Sequence, residues 1–161
     1  MADAIVVRVA EFRSVRGDTE LATLGLGSCV AILLHDPGSG VGGLAHVLLP
    51  SRSLSRSSDN PGRFPQTALP AMVEEMIGLG ADRRRLVARL VGGASMFQNL
   101  VPSGSMQMGD RNVIAVREVL NQLAIPIVGE TVGGGQGRSV WFNPGSGSIT
   151  VQSVGKREQV S

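Results

Sequence analysis

Hydrophobic positions change period several times along this chain, and the changes outline its elements. Residues 4–10 (AIVVRVA) are a β-branched run that predicts a strand, and the polar stretch 13–18 after it reads as a loop. A second short strand is expected over 20–24, followed by a glycine-punctuated turn at 24–29 (LGLGSC). Two apolar runs, 30–35 and 41–49, flank Asp36-Pro37-Gly38-Ser39-Gly40, a strong turn signal, and together predict a hairpin.

Residues 51–63 (SRSLSRSSDNPGR) lack periodicity and read as a mobile surface loop. The period then becomes helical. Leu69, Met72, Val73, Met76 and Ile77 predict a helix over 67–79, with Pro70 tolerated in its first turn and Gly78 and Gly80 marking the stop. A strand is expected at 86–91, a short helical turn at 94–100, and a second helix at 111–123 with Asp110 as N-cap. Val113, Val116, Leu120 and Leu123 share one face of that helix. Strands at 125–130, 139–142 and 148–154 complete the pattern, and 155–161 reads as a frayed tail. The expectation is one domain over 1–154, of class α+β: a layered α/β/β sandwich of mostly antiparallel, hairpin-linked strands with two long helices.

Composition narrows the function more than the fold. Fifteen Lys and Arg against thirteen Asp and Glu leave a formal charge of only +2, and fourteen of the fifteen basic residues are arginine. With no tyrosine, one tryptophan and four phenylalanines, there is little on which to stack bases, so nucleic acid is not an expected partner. No apolar stretch reaches the length of a membrane span and the first ten residues lack a signal-peptide pattern, so a cytoplasmic protein without membrane insertion is expected. One cysteine precludes an intramolecular disulfide and a cysteine-based zinc site.

The chemical inventory is correspondingly small: Cys29, His35 and His46. The glycine-rich 132–138 segment lies between two strands and makes a weak nucleotide fingerprint. A lone cysteine beside an apolar run is often a small buried hydrophobe. Here, however, Cys29 follows Gly25-Leu26-Gly27-Ser28, whose glycines can turn N–H groups toward a developing oxyanion. In the hairpin, a five-residue loop pairs His35 with Val41 and Val30 with His46. A four-residue loop or a bulge would set Cys29 opposite His46, where paired Cβ atoms are about 4.5–5.5 Å apart. His46 then reads either as a base for the thiol or as a core histidine satisfied by a carbonyl. His35 falls at the far end of the hairpin and reads as a packing or capping residue, and no metal site is expected.

The segments Thr23-Leu24-Gly25-Leu26-Gly27-Ser28-Cys29-Val30 and Gly42-Gly43-Leu44-Ala45-His46-Val47-Leu48-Leu49-Pro50 resemble the CheD family of chemoreceptor glutamine deamidases. The resemblance extends through Val91-Gly92-Gly93-Ala94-Ser95-Met96-Phe97, Gly109-Asp110-Arg111-Asn112 and Phe142-Asn143-Pro144. It implies a cofactor-independent cysteine amidohydrolase that converts selected glutamines of methyl-accepting chemotaxis receptors to glutamate, releasing ammonia. Cys29, His46 and Thr23 carry over as the catalytic set, with Thr23 holding the tautomer of the histidine. Gly27, Ser28 and Arg138 are the candidate substrate-binding residues beside that set. The resemblance also implies the CheC phosphatase as a partner. Thr131, Gly135 and Gln136 depart from the family pattern near Arg138. Two other readings compete: an adaptation regulator that binds receptors or CheC without turnover, and a redox-sensing thiol protein built on Cys29 alone.

Overall fold

The computed structural model describes residues 4–51, 60–95 and 107–160. Ten strands and two helices follow in the order β1 (Ile5–Val6), β2 (Phe12–Arg16), β3 (Leu21–Leu26), β4 (Val30–Asp36), β5 (Val41–Val47), α1 (Pro65–Gly78), β6 (Val87–Gly92), α2 (Met108–Gln122), β7 (Ile127–Val132), β8 (Arg138–Asn143), β9 (Ser148–Ser153) and β10 (Lys156–Gln159). They form two five-stranded sheets, ordered β1-β3-β8-β9-β10 and β2-β5-β4-β6-β7. Among the described residues only the β1–β3 and β6–β7 pairs are parallel, as the α+β expectation of mostly antiparallel strands requires.

The sequence of β4 shows why the layers stack as they do. Val30, Ile32 and Leu34 pack with α1 and α2, whereas Ala31 and Leu33 pack toward the other sheet. A strand covered on both faces must be apolar at every position, and Val-Ala-Ile-Leu-Leu is. The result is a helix layer, a central sheet and an outer sheet. Each fully buried Leu, Ile or Phe of these two cores contributes about 1.5–3 kcal/mol of transfer free energy. On β5, Gly42 allows a close approach between layers. A Cβ there would lie 2.7 Å from the Phe142 ring of the outer sheet.

Several expectations need correction. Residues 13–18, expected as a loop, lie mostly in β2, an edge strand that pairs with β5. Its exposed Arg13 and Arg16 flank buried Ser14 and Val15, so apolar alternation is absent, although the charges suit an edge. The expected frayed tail contains β10, which pairs antiparallel with β9 from Lys156–Ser153 to Gln159–Thr150. All four β10 residues are exposed, so it carries no apolar signature. Pro70 stands in the second turn of α1, because the helix starts earlier, at Pro65. Helix α2 likewise starts at Met108, with Asp110 in its first turn and Gln107 at the N-cap. The expected surface loop at 51–63 and helical turn at 94–100 fall largely outside the described residues.

The end of the β4–β5 hairpin is closed by a buried carboxylate. Asp36 has no exposed side-chain surface and receives two hydrogen bonds from Arg85, at 2.9 and 3.0 Å. It also accepts from the backbone N–H groups of Asp82 and Gly38 and from the Ser39 hydroxyl. Arg85 stands in a 3-10 turn, Arg83–Arg85, just before β6.

Candidate active site

The opposite end of the central sheet gathers Thr23, Cys29 and His46. Strand β3 carries Thr23 with its side chain turned inward, then shifts register against β8 between Thr23 and Leu26. That bulge places an extra residue in β3 and lets Leu26 point inward with no exposed surface. The chain then crosses from the outer sheet to the central sheet through 27–29. Cys29 therefore lies just before β4, half-buried. Gly92, at φ 112°, passes so close that a Cβ there would collide with the Cys29 carbonyl oxygen. Gly93 N–H donates to that carbonyl at 2.8 Å.

The hairpin register differs from both sequence alternatives. Asp36 pairs with Val41 across a four-residue loop, so His46 stands opposite Ala31. Cys29 is two residues from Ala31 and so keeps the same face as His46, on the diagonal. The five-residue alternative would have put the two side chains on opposite faces. His35, at the other end of β4, bonds the Pro144 carbonyl at 2.8 Å and meets the Phe142 ring edge-on. It is a packing residue, as expected from the hairpin.

His46 and Thr23 meet between the sheets. Both are buried, at 2% and 0% exposure. Thr23 Oγ1 lies 2.7 Å from His46 Nδ1 and 2.6 Å from the Val7 carbonyl oxygen. A carbonyl can only accept, so the single hydroxyl proton goes to Val7 and the hydroxyl oxygen accepts from Nδ1–H. This fixes the Nδ1–H tautomer and leaves the Nε2 lone pair, which has no hydrogen-bond partner among the described residues. Burial pushes the His46 pKa down to about 4, against a smaller opposing effect of the Val7 carbonyl. The imidazole is therefore uncharged at neutral pH. Burial also raises the Cys29 pKa, partly offset by its own backbone N–H. The resting pair is thus a thiol and a neutral imidazole.

Of the expected substrate-binding residues, Gly27 and Ser28 lie in the crossing segment beside Cys29. Arg138 Nη1 donates to the carbonyls of Gly92 and Gly133, at 3.3 and 2.9 Å. It thereby ties together the ends of β6 and β7, next to the contact between Gly92 and the cysteine. Sequence reasoning missed Asn112, which donates to Ser28 and Leu48 on either side of the site. Its only sequence signal was an asparagine one turn before Val116, next to the apolar stripe of α2. Among the described residues, no three His, Cys, Asp or Glu side chains gather as a metal site, and no helix is long and apolar enough to cross a membrane.

A thiol, an uncharged imidazole with an available lone pair and a hydroxyl that sets its tautomer are the parts from which a cysteine hydrolase is assembled. The chain belongs to the CheD family. Residues 48–153 match the family model described as CheD chemotactic sensory transduction. Matches to whole relatives also take in the three site residues. One from Lachnoclostridium phytofermentans is 39% identical over 159 residues, covering 99% of each chain. Another, from Caldanaerobacter subterraneus subsp. tengcongensis, is 41% identical over 149 residues and 92% of each chain. A third, from Moorella thermoacetica, is 41% identical over 153 residues, covering 94% of this chain and 92% of the relative. All three carry the name "Probable chemoreceptor glutamine deamidase CheD".

Proposed function

We propose that this protein is a chemoreceptor glutamine deamidase, a cysteine amidohydrolase that acts on glutamine side chains of methyl-accepting receptors. The observation that carries the reading is the Thr23–His46 bond, which leaves Nε2 unprotonated and unpartnered on the face that also bears Cys29. Cys29 Sγ attacks the side-chain carbonyl carbon of the glutamine while its proton passes to His46 Nε2. The C–N bond breaks, His46 returns the proton to the departing nitrogen, and ammonia leaves a thioester on Cys29. Water, deprotonated by the same Nε2, then attacks the thioester and releases glutamate and the thiol. The backbone N–H groups of the Gly27–Ser28–Cys29 segment hold the oxyanion. Arg138 supports that segment through the Gly92 carbonyl. We place the reaction in the cytoplasm, where a lone cysteine stays reduced, and include the CheC phosphatase as a second partner.

The direct test is to incubate the protein with the signalling fragment of a methyl-accepting receptor, measuring ammonia and the conversion of glutamine to glutamate by peptide mass. Stoichiometric release of both is expected; fragments left unchanged would overturn the deamidase reading. The role of Thr23 is tested separately. Thr23→Val keeps shape and β-branching but loses the hydroxyl, and its kcat should fall on the order of 10- to 100-fold, from misorientation of the base. Thr23→Ser should recover much of that rate. Full activity in Thr23→Val, at unchanged thermal stability, would make Thr23 a packing residue and leave a Cys29–His46 dyad.

A further inference from the structure

The segment that carries the cysteine is held by three successive carbonyls, each taken by a donor from another part of the chain. Ala94 N–H donates to Gly27 O and Gly93 N–H to Cys29 O, both at 2.8 Å. Between them, Asn112 Nδ2 donates to Ser28 O at 2.9 Å. The middle donor is a side chain, and its amide has a second hydrogen. That hydrogen reaches Leu48 O, at 3.2 Å, just past the end of β5 and two residues beyond His46. One amide group therefore bridges the entry to β4, which bears the thiol, and the exit of β5, which bears the imidazole.

Asn112 is fully buried on α2, beside Val113 and Val116. Its Oδ1 has no hydrogen-bond partner among the described residues. A buried amide whose two donors are used while its acceptor stays unsatisfied carries a desolvation cost that an apolar residue would avoid. The group is thus placed for its donors. Peptide planarity extends the effect by one atom pair: Ser28 C=O and Cys29 N–H belong to one trans unit and point in opposite directions. Fixing Ser28 O against Asn112 therefore fixes the direction of the Cys29 N–H.

We propose that Asn112 is a positioning residue for catalysis: it sets the Ser28–Cys29 peptide, and holds the Cys29 segment and the His46 strand at their working separation. The inference rests on the reading of Cys29 as nucleophile and His46 as base. The Cys29 N–H also favours the ionised sulfur, so its direction bears on thiol reactivity as well as on oxyanion binding.

The test compares wild type with Asn112→Leu, which keeps the approximate shape without donors, and Asn112→Ser, whose hydroxyl can serve one carbonyl. For folded Asn112→Leu, kcat on receptor fragments should fall 10- to 100-fold with KM within about twofold, as small misplacements of reacting groups produce. The alkylation rate of Cys29 by iodoacetamide should fall several-fold in parallel, and Asn112→Ser should lie between. Wild-type kcat and alkylation rate in folded Asn112→Leu would overturn the proposal. Should that variant not fold, Asn112→Ser decides: a lowered kcat at constant KM supports it, and wild-type kcat overturns it. In the wild-type protein, both Nδ2 protons should exchange with solvent far more slowly than those of an exposed amide; fast exchange overturns the proposal without any variant. A Cys29→Ala control separates the two levels, because ammonia release by that variant would sink the nucleophile reading itself, independently of Asn112.

Discussion

Cys29→Ala should release no ammonia from receptor glutamines, and His46→Ala should lose about 10² or more of the wild-type rate, the scale of a missing general base. His35→Gln should retain most of the activity, because His35 is engaged with Pro144 and Phe142 at the opposite end of the hairpin. The pH profile gives a sharper result than the rate losses. In the proposed mechanism the competent resting state is a neutral imidazole with a protonated thiol. As burial sets the His46 pKa at about 4, kcat/KM should stay level through pH 6 and fall only as pH drops through about 4. The alkaline limb should lie above the ordinary thiol value of 9.0. An acid limb near 6.5, or thiolate absorbance at neutral pH, would show instead a charged cysteine–histidine pair. Stability follows the same group. The folded pKa of His46 lies below its ordinary 6.5, so this contribution is fully present above about 6.5 and is lost as pH falls toward and through 4. The loss is on the order of 3 kcal/mol, and His46→Gln should remove that part of the pH dependence.

The largest stability effect is expected at the other end of the central sheet. Asp36→Ala should destabilise the fold by about 3 kcal/mol, since it leaves the hydrogen bonds of a buried carboxylate unmade. For a chain of this size that corresponds to a Tm lower by roughly 6–12 °C. The Arg85 guanidinium holds the Asp36 carboxyl well below the usual carboxylate range; the Asp82 N–H, the Ser39 hydroxyl and the Gly38 N–H act in the same direction against burial. The sign follows. Stabilisation is fully present above the ordinary carboxylate value of 3.8 and is lost as pH falls from there through the lower folded value. Thermal melts of wild type and Asp36→Asn should therefore converge in strong acid. Equal Tm values at pH 7 would show that the Asp36 network contributes nothing net. Deamidation per folded molecule should be little changed in either variant, because Asp36 is six residues along β4 from Val30, next to the cysteine.

Much of this was legible in local sequence. The unbroken apolar run of β4 required a strand covered on both faces, and Asp36-Pro37-Gly38-Ser39-Gly40 marked the hairpin. The glycines before Cys29 singled out the thiol, and the family resemblance added Thr23. What escaped depended on partners distant in sequence or on parity. Asp36 read as a turn residue because Arg85 is 49 positions away. Asn112 read as part of a helix start because its acceptors lie 84 and 64 positions off. The hairpin register turned on whether Asp36 or His35 closes the loop, a one-residue choice that periodicity leaves open. The edge strands β2 and β10 escaped for a different reason. Their stability comes from a neighbour's ladder and not from an apolar face of their own.

The proposed catalytic set is divided between the two sheets: Thr23 belongs to the outer one, His46 to the central one, and Cys29 follows the crossing between them. Each sheet keeps its own hydrogen-bond ladder, while the interface that joins them consists mainly of apolar contacts, which allow small sliding displacements at modest cost. A slip of one layer over the other would leave both ladders intact yet pull the threonine hydroxyl away from the imidazole, so that the ring could turn over and present the wrong nitrogen. In the proposed mechanism, competence depends on the alignment of two slabs as well as on the integrity of each. On that reading, turnover should respond to whatever shifts one layer against the other before any strand unfolds.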